Sequence, residues 1–279
     1  MEENKEINYL ILVVVYNIDV KESESINSLI GSNDYITNSC VLVWDNSLDV
    51  QQPTSIEWLF DRIKHVEYIH KPENIPLSRV YNEVINKNCL ENYDYLILLD
   101  QDSTFTVDFF CQLNKSINEF KNVPLFLPIV ISSNQIVSPA DIFMFKGKYW
   151  KSKRLGLVES KYKAAINSGM VISFDYLKNR FAGYDERLKF YGTDTYFLKT
   201  YSKSNDYFCV FDYDLHHHLA YCNSRDVDII INRHPECMKA VLLLNSTNFT
   251  MKLLVKLYIL IFSIKQAIKY KDIRFLDVR

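Results

Sequence analysis

The first hundred residues alternate short apolar runs with polar segments of helical length, and this alternation restricts the fold more than any other feature. The apolar runs are Tyr9–Val15, Val41–Trp44, Val66–Ile69 and Tyr95–Leu99. Near-continuous apolar runs of this length are typical of parallel strands covered on both faces. Helix-compatible segments lie between them, near residues 20–30, 54–64 and 77–90. The pattern predicts βαβ units, and therefore an α/β fold with a mostly parallel central sheet flanked by helices.

Beyond residue 105 the alternation loosens. A helix is expected near 106–121, then an extended run at Leu125–Ile131 and a mixed segment to about 165. The chain has only 6 glycines, and Gly169, Gly183 and Gly192 fall close together. Such a group predicts loops with positive φ or a close approach of backbone to a ligand, with helix caps and tight turns as the alternative.

Polar side chains follow each of the four predicted strands where it ends. They are Tyr16-Asn17, Asp45-Asn46-Ser47, His70 through Asn74, and Asp100-Gln101-Asp102-Ser103. Ligands of open α/β sheets bind beyond the carboxyl ends of the strands. Four polar strand ends in succession, two of them with carboxylates, therefore favour a ligand site at this edge.

Asp100-Gln101-Asp102 is the sharpest of these motifs. Two carboxylates two residues apart, directly after a buried strand, can reach one divalent cation from a single loop. Mg²⁺ is usually held by one or two carboxylates together with phosphate oxygens of a substrate. The motif predicts a metal that would neutralise a diphosphate leaving group.

Asp45 and Arg79 are further candidates for ligand contacts. Asp45 is placed to accept hydrogen bonds from a nucleobase or ribose, or alternatively to cap the next helix. Arg79 lies near the start of the helix after the third strand, where it could bind a phosphate together with the helix N-terminus. A solvated surface charge is the alternative for Arg79.

Composition excludes several classes of protein. The formal net charge is −2, so no chain-wide basic excess indicates a nucleic-acid partner. The acidic start, MEENKEIN, does not fit a secretory signal, and no apolar stretch reaches the length of a membrane span. The 6 cysteines form no C-x-x-C pair, which is simplest to explain by a reducing cytoplasm.

The C-terminal tail, residues 249–279, differs in charge from the rest of the chain. It carries seven Lys or Arg against two Asp. Lys252 and Lys256, and likewise Lys265 and Lys269, lie one helical turn apart on either side of the apolar Leu257–Ile264. Such a helix could lie on an anionic membrane surface, or could pack its apolar face on the main domain.

A set of segments occurs in a fixed order along the chain: Val14 through Asn17, Trp44 through Ser47, Asn74 through Asn82, Asp100 through Asp102, Asn167-Ser168-Gly169, and Gly183 through Arg187 followed by Asp194. Taken in this order, they resemble the motifs of family 2 glycosyltransferases, most closely a bacterial rhamnosyltransferase-type branch whose metal motif often reads Asp-Gln-Asp. The resemblance covers roughly residues 9–220.

The resemblance implies a GT-A fold, with a Rossmann-like nucleotide-binding half within a catalytic domain at 1–220. A C-terminal helical extension at 221–279 would follow it. The implied reaction moves a sugar from a nucleotide-diphosphate donor to an acceptor hydroxyl with inversion.

The resemblance also implies roles for single residues. Asp45 would contact the nucleoside, and Asp100 and Asp102 would serve the ribose and the metal-diphosphate. Asp194, in Tyr-Gly-Thr-Asp, matches the general base, with a helix N-cap before Thr195–Ser202 as a compatible alternative. Other residues placed in the nucleotide-sugar site are Tyr16, Asn17, Arg79, Gln101, Ser168 and Gly169.

Two positions depart from the family pattern or leave its roles open. Within His216-His217-His218, His217 matches a family histidine and could be a metal ligand or a structural residue, with Ala220 where the family has glycine. On a strand, His216 and His218 share one face and His217 points to the other. Pro76 stands where the family has a glycine, which changes any backbone contact to the donor phosphates.

The expected enzyme is a glycosyltransferase that requires Mg²⁺ or Mn²⁺ and acts in bacterial surface-polysaccharide assembly, such as O-antigen or capsule. Its donor would be dTDP-rhamnose or, alternatively, a UDP-hexose, and its acceptor a lipid-linked oligosaccharide at the cytoplasmic face of the cell membrane. A sugar nucleotidyltransferase would need a Gly-rich basic loop after the first strand, which Tyr16 through Asp19 does not supply. A non-catalytic glycan-binding or scaffold protein is the remaining alternative, and Asp45, Asp102 and Asp194 together argue against it.

Overall fold

The computed structural model of the chain describes residues 7–87, 92–217 and 227–278. Its strands are β1 Tyr9–Val15, β2 Cys40–Asp45, β3 Val66–His70, β4 Tyr95–Asp100, β5 Ser103–Thr104, β6 Leu125–Ser132, β7 Gln135–Ser138, β8 Ala140–Phe143, β9 Lys146–Tyr149, β10 Gly156–Glu159, β11 Lys163–Ala164, β12 Met170–Ser173 and β13 Tyr207–His217. Its α-helices are α1 Glu24–Ile30, α2 Pro53–Arg62, α3 Leu77–Ile85, α4 Asp108–Glu119, α5 Phe174–Asn179, α6 Thr193–Tyr201, α7 Val227–Asn245 and α8 Phe249–Tyr270.

The predicted strands form one half of the central sheet. β4, β1, β2 and β3 lie side by side and are parallel to their neighbours. The other half is mixed, because β12 is antiparallel to both β4 and β6 whereas β13 is parallel to β6. The α/β prediction is confirmed, with a sheet that is mixed overall.

The two faces of this sheet carry separate apolar cores. Along β1, Leu10 and Leu12 point into one core, whereas Tyr9, Ile11 and Val13 point into the other. This follows from the period-two alternation of side chains along a strand. Both faces are covered, which explains why the sequence runs are apolar throughout rather than alternating.

The helices begin and end close to their predicted positions. The segment near 20–30 divides into a 3₁₀ turn, Val20–Glu22, and α1, which Ser23 caps by accepting the Ile26 N–H. The segment predicted at 77–90 is helical to Ile85, and residues 88–91 lie outside the described part of the chain. The boundary predicted at residues 220 and 221 also lies outside it.

The grouped glycines adopt the predicted backbone conformation. Gly169, Gly183 and Gly192 have φ of 79°, 92° and 82°. At Gly169 an added Cβ would lie 2.7 Å from both Leu215 Cδ2 and Pro128 Cγ. Only glycine fits there, and it lets the loop before β12 pass directly over β6 and β13.

Replacing Gly169 by Ala is expected to destabilise the fold by about 2–4 kcal/mol, because the change adds both left-handed backbone strain and overpacking. Urea unfolding measures the loss as a lower midpoint. Gly147→Ala is the matched control, since an added Cβ there meets nothing within 4 Å. Equal stability of the two variants would contradict the prediction.

Candidate active site

The ends of three neighbouring strands are joined by hydrogen bonds at the predicted edge of the sheet. After β1, the Tyr16 N–H donates to Gln101 Oε1 at 2.7 Å, and the Asn17 N–H donates to Ser47 Oγ at 2.8 Å. Asn17 has φ of 54°, a left-handed conformation that asparagine tolerates. The Tyr16 ring remains exposed. The structure therefore brings together the residues predicted after β1, β2 and β4.

Asp45 ends β2 and is fully buried. Its carboxylate accepts hydrogen bonds from the Ser47 N–H at 2.9 Å, Gln51 Nε2 at 3.0 Å and the Tyr68 hydroxyl at 2.6 Å. Three donors satisfy a buried carboxylate and fix the loop that follows the strand. No helix begins there, since α2 starts at Pro53 with Gln52 as its N-cap.

Asp100, Asp102 and His217 form one compact cluster. Asp102 Oδ1 lies 3.3 Å from His217 Nδ1, and Asp100 Oδ2 lies 3.9 Å from His217 Nε2. One ligand atom from each of the three residues lies within 4.8 Å of the others. The cluster forms because β13 pairs with β5, the short strand directly after the Asp-Gln-Asp motif. Two carboxylate oxygens and an imidazole nitrogen suit a divalent metal ion.

Burial shapes the titration of the two carboxylates in this cluster. Burial raises the pKa of Asp100, against the opposing effects of His217 and a hydrogen bond from Ser168. Burial also raises the pKa of Asp102, and the negative charge of Asp100 raises it further, although His217 opposes both. A bound cation would stabilise the ionised form of both carboxylates, and so would offset the burial and the charge repulsion that raise their pKa values.

Three serines, Ser25, Ser103 and Ser168, form hydrogen bonds with residues of the cluster. Ser103 Oγ is within hydrogen-bond distance of Ser168 Oγ and lies 3.2 Å from His217 Nδ1. Ser168 Oγ accepts the Asp100 N–H at 3.3 Å, and Ser25 Oγ donates to the Asp100 carbonyl oxygen. Ser168 therefore connects the Asn167-Ser168-Gly169 loop to the end of β4.

Asp194 lies in the first turn of α6 rather than at its cap. The N-cap is Gly192, so the alternative of Asp194 as N-cap before Thr195–Ser202 is wrong, and the helix starts two residues earlier. Its carboxylate accepts the Thr195 N–H. Burial raises the pKa of Asp194 to about 6, with a smaller contribution from the charge of Asp100. A carboxyl group with such a pKa can accept a proton near neutral pH.

Asn167 links the loop beside the cluster of Asp100, Asp102 and His217 to the start of α6. Its Nδ2 donates to Thr193 Oγ1 at 3.0 Å and to the Tyr81 hydroxyl at 3.3 Å. Thr193 precedes Asp194, and Ser168 follows Asn167. One loop thus contacts the carboxylate cluster on one side and the start of α6 on the other.

Arg79 lies in α3, where Nε donates to Glu186 Oε2 at 3.2 Å. Both side chains are more than half exposed, and they line an open cavity of about 630 Å³ together with Trp44, Lys71 and Asn82. Pro76 is the N-cap of α3. The Arg79 side chain is therefore exposed to solvent, but its Nε already pairs with the carboxylate of Glu186, which belongs to the Gly183–Arg187 motif.

Of the three consecutive histidines, His216 and His217 lie at the end of β13. His216 pairs with Thr104 and His217 with Ser103, and His217 faces the two aspartates. His218 and Ala220 lie outside the described residues.

Several site residues were missed by reasoning from sequence. Ser103, Tyr81, Thr193 and Glu186 hold functional candidates in place, yet each contacts a residue distant along the chain. In the sequence, Ser103 stands in the polar segment after the fourth strand, and Thr193 is the neighbour of Asp194. Tyr81 and Glu186 lie within the segments Asn74 through Asn82 and Gly183 through Arg187, but no individual role was predicted for any of the four.

Mn²⁺ is expected to raise the melting temperature of the wild-type chain, because an ion that binds only the folded state stabilises it. Asp102→Asn should remove most of the shift, since it deletes one of the two charges in the cluster. Asp206→Asn, at an exposed site, is the control. An undiminished shift in Asp102→Asn would contradict the assignment of this cluster.

No protein-family profile matches the sequence, and no curated protein matches it. Solved structures do match its fold. Residues 1–349 of TarS from S. aureus align over 97% of this chain and 89% of their own, with 13% identity and a TM-score of 0.56.

Two other structures match with shorter coverage. GalNAc-T7, solved with UDP, GalNAc and Mn²⁺, aligns over 78% of this chain at 12% identity and a TM-score of 0.57, and this chain spans 44% of its length. The mannosyltransferase PcManGT from Pyrobaculum calidifontis, solved with GDP-Man and Mn²⁺, aligns over 83% of this chain and 62% of its own, at 11% identity and a TM-score of 0.55. The predicted fold is thereby confirmed: the chain has the GT-A fold of glycosyltransferases.

Proposed function

We propose that this chain is a metal-dependent inverting glycosyltransferase that moves a sugar from a nucleotide-diphosphate donor to an acceptor hydroxyl. One observation carries the proposal. Two carboxylates and an imidazole that can share a cation are joined through Asn167 and Ser168 to a separate carboxylate whose pKa is about 6. Leaving-group stabilisation and proton acceptance are the two tasks of such a transfer.

The donor nucleoside binds at the ends of β1 and β2 in this proposal. The exposed Tyr16 ring stacks on the base. Asp45, predicted to contact the nucleoside itself, is buried with its carboxylate bonded to three protein donors, and it fixes the subsite through Ser47, which also holds the Asn17 N–H. Gln101 sets the position of Tyr16 through its backbone. Arg79 contacts the donor phosphates after exchanging Glu186 for them.

Asp100, Asp102 and His217 would hold a divalent metal ion. The donor set fits Mg²⁺ or Mn²⁺, because two hard oxygen ligands converge with one imidazole nitrogen. When bound, the ion would neutralise the negative charge that develops on the diphosphate. Ser103 contacts the His217 ring, and Ser168 accepts the Asp100 N–H.

Asp194 is the proposed general base. The acceptor oxygen forms a bond to the anomeric carbon as the bond from that carbon to the diphosphate oxygen breaks. The electron pair leaves with the nucleotide diphosphate, and the acceptor proton passes to an Asp194 oxygen. Attack from the side opposite the leaving group inverts the anomeric centre. The Asn167–Thr193 hydrogen bond fixes the start of α6 for this step.

The structural neighbours support the class of donor and of metal. GalNAc-T7 was solved with UDP and Mn²⁺, PcManGT with GDP-Man and Mn²⁺, and TarS with UDP-GlcNAc. Those ligands belong to those proteins, and on the shared fold we propose a nucleotide-diphosphate sugar and a divalent cation for this chain.

For the donor sugar we propose rhamnose from dTDP-rhamnose, on the Asp-Gln-Asp resemblance, with a UDP-hexose as the alternative. The acceptor is a lipid-linked oligosaccharide in bacterial surface-polysaccharide assembly, reached at the cytoplasmic membrane face. Competition between dTDP-rhamnose and UDP-hexoses for turnover by the purified chain decides the donor. Binding of no nucleotide at all by a folded sample would favour a glycan-binding protein instead.

Asp194→Asn is expected to lower the transfer rate by about 10²–10⁴-fold, because the amide cannot accept the acceptor proton. Binding of the nucleoside diphosphate should be retained, as measured by its stabilisation of the fold in the presence of Mn²⁺. Asp206→Asn serves as the control for the change of charge. Full activity of Asp194→Asn would remove this residue as the base.

The transfer rate at saturating donor and Mn²⁺ should fall as pH decreases through about 6. The direction follows from the raised pKa of Asp194, which is ionised and able to accept a proton only above that pH. Below it, a single protonation lowers the rate tenfold per pH unit. A rate independent of pH between 5 and 7 would contradict this assignment.

A further inference from the structure

The C-terminal helix α8 carries apolar side chains on two opposite faces. One face, with Val255, Ile259 and Ser263, is buried against α7. Ser263 Oγ also lies 2.9 Å from His234 Nε2 of α7. The sequence left open whether this helix lies on an anionic membrane surface or packs its apolar face on the rest of the chain. In the structure one apolar face is packed and the other is exposed.

The opposite face forms a continuous exposed stripe. The apolar stripe consists of Leu253, Leu257, Leu260, Ile261, Ile264 and Ile268, which are each at least 41% exposed. It extends over most of the 22 residues of α8, a helix about 33 Å long. A monomeric soluble protein rarely exposes a contiguous patch of this extent, and such patches mark interaction sites.

Lysines border the apolar stripe on both sides. At about 100° per residue, Lys256 and Lys265 each lie about 40° outside the stripe, on opposite sides, and Lys252 and Lys269 lie about 40° farther round the helix. All four are exposed, and α8 contains no Asp or Glu. Apolar side chains flanked by cations are the arrangement of helices that lie in the interface of an anionic bilayer.

The tip of the β8–β9 hairpin is a second exposed surface that combines apolar side chains with lysines. Phe143, the last residue of β8, and Met144, which follows it, are 75% and 63% exposed, and Lys146 and Lys148 of β9 are exposed as well. The Phe145 ring packs on Tyr258 of α8 with centroids 5.5 Å apart. The hairpin tip is thus fixed against the helix that carries the stripe.

The charge pattern argues against a second copy of this chain as the occupant. Joining two apolar stripes would bring lysine borders together, with no carboxylate on either helix to pair with them. An anionic lipid surface supplies both the apolar phase and the negative charge. Over the described residues no helix is long and apolar enough to cross a membrane.

We propose that the apolar stripe of α8 and the Phe143–Met144 tip form a surface that inserts into the interface of an anionic lipid bilayer. The same hairpin reaches the candidate active site, since Met144, Phe145 and Asp194 line one cavity of about 320 Å³. Membrane contact would therefore bring a lipid-borne acceptor beside Asp194. The surface itself is independent of the proposed transfer reaction.

Co-sedimentation of the full chain with vesicles tests the proposal. Binding is expected to vesicles of phosphatidylglycerol and phosphatidylcholine, to be weaker with phosphatidylcholine alone, and to decline with salt. Leu257→Glu combined with Ile264→Glu should weaken binding by roughly a hundredfold or more, because two apolar side chains that would be buried in the bilayer are lost. Lys256→Gln combined with Lys265→Gln, which leaves all packing intact, should weaken it roughly fivefold per lysine.

Phe60→Glu combined with Leu157→Glu is the matched control, because both residues are exposed and lie outside α8 and the hairpin. Its binding should equal that of the wild type. Wild-type chain that stays in the supernatant, or a control that loses binding as much as the α8 variants, would overturn the proposal. So would a stable dimer that the α8 glutamates dissociate and that does not bind vesicles. Vesicle binding is measured without sugar transfer. A failure to bind vesicles would therefore not contradict the proposed transfer reaction, which the Asp194 variant and the pH dependence test separately.

Discussion

The main physical constraint on this molecule is that two carboxyl groups, whose ionisation burial opposes, must be held side by side at the end of one buried strand. Asp100 and Asp102 are side by side, and burial raises the pKa of both. Their arrangement holds because the backbone around them is bonded to Ser25 and Ser168, and because His217 faces both carboxylates. The central position of β4, between β1 and β12, makes this edge rigid.

Much of this architecture could be predicted from local sequence. β1 was predicted with its observed ends, and β2, β3 and β4 within about a residue, because a strand buried on both faces leaves an uninterrupted apolar signal. The edge on which Tyr16, Asp45 and Asp100 gather follows from parallel pairing alone. In the mixed half, the extended run at Leu125–Ile131 predicted β6, but nothing in the local sequence indicated that β12 and β13 pair with it.

The same distinction applies within the site. The Asp-Gln-Asp motif is visible in three adjacent letters, whereas the contact of His217 with Asp102 depends on β13 pairing with β5. The burial of Asp45 under Tyr68 and the pairing of Arg79 with Glu186 join segments that no periodicity relates. The two-faced α8 was ambiguous for a different reason: an apolar run shows that a face is apolar without showing what covers it.

The β8–β9 hairpin has a consequence for how such a chain can diverge. Its residues line the Asp194 cavity and also pack against α8, so one short element serves two surroundings. A substitution that reshapes the cavity for a different ligand also shifts the contact between Phe145 and Tyr258. Under the two proposals above, a change in the ligand selectivity of the cavity would also alter how α8 is held at a membrane.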